Sequence, residues 1–323
     1  MPAAPSQVTA PTFSVIIPVY NRAAVLGDAI ASVLAQSCQD FEIVVADDGS
    51  CDDPSSVIAQ FCDPRIRFLR QENKGGGAAR NAAIDAAKGR FIAPLDSDDV
   101  FLPHHLEAMK TLLDGTTNTA GYARILVDRG QGRTFLKPPR AIREGEDMGE
   151  YLLCARGFVP TITLVVAREL AARVRYHENL RAAEDTDFAM RLALAGCKFV
   201  MAERPGAVWK DIADPTRVSA GAALSRAQRF DAWLTQMKPQ MTQRAFLGAR
   251  GWAYAKMLAR NNRKFQALKL YLTALFNGCY GARLAGVVFL QIFLGAGPYR
   301  QLADTAIAWL NIGLRDRPTL KKA

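Results

Sequence analysis

The stretch "FIAPLDSDDV", residues 91–100, joins an apolar run to four oxygen-bearing side chains: Asp96, Ser97, Asp98 and Asp99. The apolar run predicts a strand that is buried on both faces, as in a parallel sheet. Carboxylates this close repel one another unless water or a cation compensates their charge. Because ligands of open α/β sheets bind at the carboxyl ends of the strands, these acids stand where a ligand is expected.

Short apolar runs alternate with helical segments through the first hundred residues. We predict four strands, at 13–19, 41–46, 65–69 and 90–95. Between them we predict three helices, at about 25–34, 53–61 and 78–88. This alternation is typical of βαβ units around a mainly parallel sheet flanked by helices, so the predicted fold class is α/β.

The pattern is less regular beyond residue 100. Pro103 begins a predicted helix that runs to about Leu113, with His104 and His105 as surface residues at its start. The other predictions are strands at 118–127, 161–167 and 198–202, a helix at 184–196 and a surface excursion at 129–147. Past Ser219 only helical periodicity remains.

The net charge of +10 is divided unevenly along the chain. From Leu224 onward there are 16 lysines and arginines against three acids, whereas the residues before it are slightly acidic. Such asymmetry indicates two functional parts. We therefore predict a disordered lead at 1–12, an α/β domain at 13–220 and a basic helical region at 221–323.

Several classes of function find no support in the sequence. The six cysteines are scattered without a close pair, so they are interpreted as incidental thiols of a reducing cytoplasm. The loop "KGGGAARN" at 74–81 matches neither the P-loop nor the dinucleotide fingerprint. No helix-turn-helix, zinc or aromatic-platform motif predicts nucleic-acid binding. The acidic cluster at 96–99 instead suits Mg²⁺ or Mn²⁺, which prefer a few hard oxygen ligands and keep other positions for water and phosphate.

Five motifs in order resemble the family-2 glycosyltransferases of the GT-A fold. They are "FSVIIPVYNR" (13–22), "EIVVADDGS" (42–50), "NKGGGAARNAAI" (73–84), "GRFIAPLDSDD" (89–99) and "AEDTDFAMRLALAG" (183–196). The resemblance covers about residues 13–220. It implies an inverting enzyme that moves a sugar from a nucleotide diphosphate, most commonly UDP, to a hydroxyl group.

The resemblance assigns roles to residues at the first two strand ends. Pro18, Tyr20 and Asn21 correspond to positions near the base and ribose of the nucleotide, although a plain strand-to-helix turn remains an alternative. Asp48 matches the acid that holds the uracil ring. Arg80 is a candidate donor-side residue, with pairing at the surface as its alternative.

The remaining roles fall on three aspartates. Asp96 and Asp98 match the family's D-x-D motif, in which the first reaches the ribose and the second binds the metal that bridges the diphosphate. Asp185 corresponds to the catalytic base. One departure concerns a histidine that many relatives carry after the base: the matching stretch at 207–221 has none, and Lys210 or Asp211 is a possible substitute.

The basic helical region predicts contact with an anionic membrane surface. Basic residues interspersed with aromatic ones are typical of helices that lie at a lipid interface, although an ordinary helical domain with solvated bases is the alternative. The apolar stretch at 284–297 is too short to span a bilayer. We therefore expect a cytoplasmic protein at the inner face of the cell membrane, with a glycan or polyprenyl-linked glycan as acceptor.

Two other functions remain open at this stage. A nucleotidyltransferase has the same fold and releases pyrophosphate rather than a nucleoside diphosphate. A nucleotide-sugar-binding protein without transfer activity would explain the missing histidine. The sugar, the linkage and the oligomeric state are not predicted.

Overall fold

The computed structural model describes residues 10–180, 183–211 and 223–312. The strands are β1 (Phe13–Val19), β2 (Phe41–Asp47), β3 (Ile66–Arg70), β4 (Phe91–Pro94), β5 (Val100–Phe101), β6 (Thr119–Asp128), β7 (Thr134–Lys137), β8 (Val166–Ala167) and β9 (Lys198–Lys210). The first seven helices are α1 (Ala23–Leu34), α2 (Pro54–Ala59), α3 (Gly76–Ala86), α4 (His105–Leu113), α5 (Met148–Cys154), α6 (Arg168–Val174) and α7 (Glu184–Leu194). The last six are α8 (Ala223–Met237), α9 (Gln243–Ala249), α10 (Ala255–Arg260), α11 (Lys264–Phe276), α12 (Ala282–Phe293) and α13 (Ala296–Ile312).

A five-stranded sheet has the order β3-β2-β1-β4-β8. Its first four strands are parallel, with Phe13 opposite both Phe41 and Phe91, and only β8 runs antiparallel. All residues of β2 are buried, and β1 is buried except for the half-buried Pro18. The predicted α/β class with a mainly parallel sheet and a helical C-terminal region is confirmed.

The chain folds into two compact units that interleave along the sequence. Unit 1 takes the chain up to Arg124, Val159–Asn179 and Asp187–Val208. Unit 2 takes Ile125–Phe158, Leu180–Thr186 and the chain from Trp209 onward. In the second sheet, which has four strands, β9 lies between β5 and β6. Within unit 2, the second half of β6 pairs antiparallel with β7.

One sequence-based prediction of a strand was wrong. The segment 161–167 is a strand only at β8, because Thr161–Thr163 forms a 3₁₀ turn. The hydroxyl of Thr163 donates to the carbonyl of Ala123, 2.9 Å away, so a contact from β6 holds this turn. The predicted excursion at 129–147 does lie at the surface, since all its residues except Pro138 are half-buried or exposed. It also contains β7, which the sequence analysis missed because its four residues show little periodicity and pair with β6.

The prediction of a surface position for His105 was also wrong. Its side chain is fully buried, and its ring centroid lies 4.6 Å from that of Phe101. Burial lowers the pKa of His105 to about 3, with a smaller contribution from the charge of His104, so the imidazole is neutral. A Cβ at Gly206 would meet the His105 ring at 2.4 Å, so this close packing requires glycine there.

The helices from α8 to α13 belong to unit 2, and α11 leaves two aromatic side chains exposed. Its buried residues are Ala267, Tyr271 and Ala274, whereas the side chains of Phe265 and Phe276 are 82% and 83% exposed. The apolar stretch at 284–297 is divided between α12 and α13. Within the described part of the chain, no helix has both the length and the apolar character to span a membrane.

Candidate active site

The acidic cluster occupies a turn directly after β4. The amide of Asp99 donates to the carbonyl of Asp96 at 3.1 Å, which closes the turn. Ser97 and Asp99 are buried, whereas the two predicted ligand-binding residues, Asp96 and Asp98, are half-buried. The turn therefore leaves both members of the D-x-D motif partly accessible at the carboxyl edge of the sheet.

Arg80 supplies part of the positive charge that these acids require. Its Nη2 lies 2.6 Å from Oδ1 of Asp96, and its side chain is largely buried. The guanidinium also lies over the ring of Tyr176, 5.4 Å from the centroid, in a cation–π contact. Tyr176 in turn stacks on Phe188, with ring centroids 4.0 Å apart. The two contacts hold Arg80, a predicted donor-side residue, beside Asp96, the first acid of the D-x-D motif.

Asp48 anchors the glycine-rich loop before α3. Its Oδ1 accepts hydrogen bonds from the amide of Lys74 at 2.8 Å and from Nε2 of Gln71 at 2.7 Å. Its Oδ2 accepts from the amide of Gly75 at 2.8 Å. Gly75 has φ of +97°, a conformation that residues with a Cβ rarely adopt. Sequence reasoning missed these loop donors, although the consecutive glycines were the signal that could have revealed them.

The first strand end is tied to the turn after β2. The amide of Asn21 donates to Oγ of Ser50 at 2.9 Å, and its Oδ1 accepts from the amide of Cys51 at 2.8 Å. Asn21 has φ of +51°. The adjacent Tyr20 is 38% exposed, and Pro18 is half-buried. Asn21 therefore positions this turn, while Tyr20 presents an accessible ring beside it.

The predicted base Asp185 lies in the first turn of α7, within unit 2. The contacts of unit 1 bring together Asp48, Arg80 and Asp96 at one sheet edge but do not include Asp185. Asp211, a suggested substitute for the histidine, also belongs to unit 2 and pairs with Arg129 at 3.1 Å. The rest of that stretch, from 212 to 221, lies outside the described residues.

The donor groups at the sheet edge suit a cation that is also bound by substrate. Among the described residues, no three acids, histidines or cysteines cluster closely enough to hold a metal by themselves. Mg²⁺ is usually held by one or two carboxylates together with water and substrate phosphates. Asp98, which is half-buried at this edge, would supply one such carboxylate.

Comparison with known proteins identifies the family. The model of "Glycosyl transferase family 2" matches residues 14–162. The amylovoran biosynthesis glycosyltransferase AmsB of Erwinia amylovora is 31% identical over 243 residues, which are 72% of this chain and 80% of AmsB. The chain belongs to glycosyl transferase family 2. The recognition made from the five motifs is thus confirmed, and the protein is a glycosyltransferase.

Two further members of the comparison agree with this assignment. The succinoglycan biosynthesis protein ExoW of Rhizobium meliloti is 33% identical over 216 residues, covering 60% of this chain and 67% of ExoW. The crystal structure of S. aureus TarS 1-349 in complex with UDP-GlcNAc superposes with a TM-score of 0.64 at 16% identity. The superposition covers 94% of this chain and 92% of the TarS chain. The two proteins therefore share a fold over almost their whole length.

Proposed function

We propose that this family-2 protein is an inverting, metal-dependent glycosyltransferase of polysaccharide biosynthesis. Its donor is a nucleotide-diphosphate sugar, in the first instance a UDP-sugar, and its acceptor is a hydroxyl group of a glycan or polyprenyl-linked glycan. The names of AmsB and ExoW, which refer to amylovoran and succinoglycan biosynthesis, support the pathway class. The complex of TarS with UDP-GlcNAc supports the donor class.

The observation that carries the proposal is the assembly of Asp48, Arg80 and Asp96 at the carboxyl edge of β1, β2 and β4. The chain from β1 to β4 places two acids and a buried arginine where open α/β sheets bind ligands. Asp48 holds the loop from Gln71 to Gly75 at this edge. Arg80 donates a hydrogen bond to Oδ1 of Asp96. On this proposal the other carboxylate oxygen of Asp96 accepts a hydrogen bond from a ribose hydroxyl.

On this proposal Asp98 holds Mg²⁺ or Mn²⁺ together with the diphosphate. A bound divalent ion supplies charge stabilisation for the departing nucleoside diphosphate. Asp185 accepts the proton of the acceptor hydroxyl as general base. Attack from the side opposite the leaving group inverts the configuration at the anomeric carbon.

The proposed acceptor and localisation require a membrane-facing surface. The exposed Phe265, Leu272 and Phe276 of α11 lie within about 40° of one another around the helix, at about 100° per residue. Lys264 and Lys269 are exposed on the same helix. An apolar face bordered by lysines supports attachment to the anionic inner face of the cell membrane, where lipid-linked glycans are available.

Replacing the predicted metal ligand and the predicted general base tests the transfer reaction. Asp98→Asn and Asp185→Asn are each expected to lower the rate of donor-dependent nucleoside diphosphate release by about 100-fold or more, since one removes the metal ligand and the other the base. EDTA should abolish activity, and added Mn²⁺ should restore it. Asp114→Asn, at an exposed acid of unit 1, serves as the control for loss of an acidic side chain.

The products separate the alternatives. Release of a nucleoside diphosphate with a glycosylated acceptor supports transfer, whereas release of pyrophosphate would indicate a nucleotidyltransferase. Nucleotide binding without turnover across donors and acceptors would indicate a binding protein. Full activity of either variant, or undiminished activity in excess EDTA, would contradict the assigned roles.

A further inference from the structure

The segment 175–178, which follows α6, lies against α3 within unit 1. The side-chain amide of Asn81 binds the backbone of Tyr176 in both directions. Its Nδ2 donates to the carbonyl of Tyr176 at 2.9 Å, and its Oδ1 accepts from the amide of Tyr176 at 2.8 Å. The same Nδ2 donates to Oε1 of Glu178 at 2.9 Å. Asn81 is 2% exposed, so a buried side chain of α3 fixes the backbone of this segment.

Two further contacts hold the same segment on α3. A Cβ at Gly77 would lie 2.8 Å from the carbonyl oxygen of His177, so the two backbones approach as closely as glycine allows. Arg175 pairs with Asp85 through contacts of 2.6 Å and 3.0 Å. The three contact positions on α3 are four residues apart, so they share one face of the helix. The segment therefore follows that face over most of the length of α3.

The ring of Tyr176 carries this fixed position to the sheet edge. Tyr176 is 3% exposed, and its ring contacts both the guanidinium of Arg80 at 5.4 Å and the ring of Phe188 at 4.0 Å. Arg80 in turn lies 2.6 Å from Oδ1 of Asp96. Direct contacts thus lead from Asn81 through Tyr176 and Arg80 to Asp96, all within unit 1.

This arrangement orders Arg80 before a ligand binds. A pair between an arginine and an aspartate in water is weak, because solvent screens it and the long side chain loses rotamer freedom. The side chain of Arg80 is only 10% exposed, whereas that of Asp96 is 36% exposed. A cation on an aromatic face away from water is held more strongly than an exposed one. The freedom of Arg80 is therefore lost on folding rather than on binding, which strengthens the binding of a ligand.

We infer that Tyr176 is a positioning residue of the nucleotide subsite. Its ring, fixed by Asn81, holds Arg80 on Asp96 and so orients that carboxylate for a ribose hydroxyl. The inference rests on the proposed function, because it deepens the role given there to Asp96. Tyr176 acts through Arg80 and needs no contact of its own with the nucleotide.

Binding of UDP in the presence of Mn²⁺, measured by titration calorimetry, tests this role. Tyr176→Leu should weaken binding about tenfold, because the aromatic face under the guanidinium is lost. Tyr176→Phe keeps the ring and should bind within about twofold of the wild type. Wild-type affinity in Tyr176→Leu, or the same loss in Tyr176→Phe, would overturn the inference.

Phe13→Leu is the matched control for loss of a buried ring. Phe13 is fully buried in the same unit, and its ring lies 5.8 Å from that of Phe91. It begins β1 and therefore lies at the end of the strand opposite the carboxyl edge. Phe13→Leu should lower the melting temperature without changing the affinity for UDP.

A double-mutant cycle separates positioning from a general loss of stability. In the Arg80→Met background, adding Tyr176→Leu should change the dissociation constant of UDP by less than about twofold, since a residue that acts through Arg80 has nothing left to hold. A tenfold loss in both backgrounds would mean that Tyr176 only supports the fold, and would contradict the inference.

A fluorinated ring covers the case in which Tyr176→Leu fails to fold. Pentafluorophenylalanine at position 176 keeps nearly the same shape, but its fluorines remove the negative charge from the ring face. UDP should bind several-fold more weakly to this protein than to Tyr176→Phe. Equal affinity of the two would refute the cation–π role.

Transfer kinetics and wild-type binding separate this inference from the proposed function. Tyr176→Leu should raise the KM for the donor about tenfold and leave kcat within about twofold, because orientation of the ribose stabilises bound donor and transition state alike. A fall in kcat at unchanged KM would contradict the role. Wild-type protein that binds no UDP would refute the donor proposal and the inference together, whereas wild-type binding that Tyr176→Leu leaves unchanged would refute the inference alone.

Discussion

Units 1 and 2 treat their partly buried charges in opposite ways. In unit 1, Asp48 accepts three hydrogen bonds, Asp96 is paired with Arg80, and Glu42 accepts hydrogen bonds from Ser14, Arg67 and the amide of Lys88. In unit 2, Lys137 and Lys256 have no acidic partner within salt-bridge distance among the described residues. The partners of these three acids lie within unit 1, whereas Lys137 in unit 2 is surrounded by aromatic rings rather than acids.

The difference separates charges that stabilise the fold from charges that lower its stability. A buried charge with its partners in place stabilises the chain or leaves it nearly unchanged, but one without a partner lowers stability. Positions that break the local rules of stability concentrate where a protein binds something. The charges of Asp48 and Lys256 therefore predict opposite effects of neutralisation.

The two units also differ in where they leave apolar side chains. Strands β1 and β2 bury almost all of theirs, whereas α11 buries Ala267, Tyr271 and Ala274 and exposes Phe265 and Phe276. Large exposed aromatic groups in register on one helix face are typical of an interaction surface. The membrane attachment proposed above depends on this surface.

Neutralisation of Asp48 should have the largest effect. Asp48→Asn removes a charged acceptor and turns an amide NH₂ toward the backbone N–H groups of Lys74 or Gly75, so the free energy of unfolding should fall by about 3 kcal/mol. Nucleotide binding should weaken with it, because the loop loses its anchor. Chemical denaturation and nucleotide titration measure both effects. Asp114→Asn is the control, and equal stability of the two variants would contradict the role of Asp48 as an anchor.

The exposed face of α11 predicts an intermediate effect on membrane binding. Replacing Phe265 and Phe276 together by serine should reduce partitioning onto anionic vesicles about tenfold, since part of two large apolar groups is no longer inserted. Vesicle flotation measures the bound fraction. Leu194→Ser changes an exposed apolar residue of unit 1 and should have no effect. Unchanged flotation of the double variant would place the membrane contact elsewhere or exclude it.

Neutralisation of Lys256 should have the smallest effect and the opposite sign. The pKa of Lys256 in the folded chain is about 8, below the ordinary lysine value of 10.5. The unfolded chain therefore binds more protons between these two pH values, and wild-type stability rises with pH there. At pH 7 the folded protein bears the full cost, and Lys256→Met should raise the free energy of unfolding by about 1 kcal/mol. The gain should shrink as pH rises above 8. Thermal unfolding at several pH values measures the gain in stability, with Lys269→Met as the control. A gain that is absent, or that grows as the pH rises, would contradict the prediction.

Prediction from sequence succeeded where a pattern is local. The runs that form β1, β2 and β4 are continuous and apolar, and the helices between them have a clear period, so their positions follow from neighbouring residues alone. The same logic located α7 and the acids that follow β4. Five motifs in sequence order then identified the family.

Prediction failed where a distant contact decides the outcome. His105 carries a polar side chain near a helix start, yet packing against Phe101 and the space left by Gly206 bury it. The strand predicted at 161–167 is shortened because Thr163 bonds to Ala123, forty residues away in the chain. In α11 the buried residues are Ala267, Tyr271 and Ala274, a choice that depends on packing against other helices of unit 2.

The sequence by itself determined the α/β class, the positions of the main strands along the chain and the acidic residues that follow them. Hydrophobic period and strand length are properties of adjacent residues, which is why these features can be predicted. Only the tertiary structure decided which cation faces which acid: Arg80 reaches Asp96 from α3, and Lys137 meets three rings from separate segments of unit 2. Electrostatic compensation depends on distances of a few ångströms between residues far apart in the chain, and folding alone sets those distances.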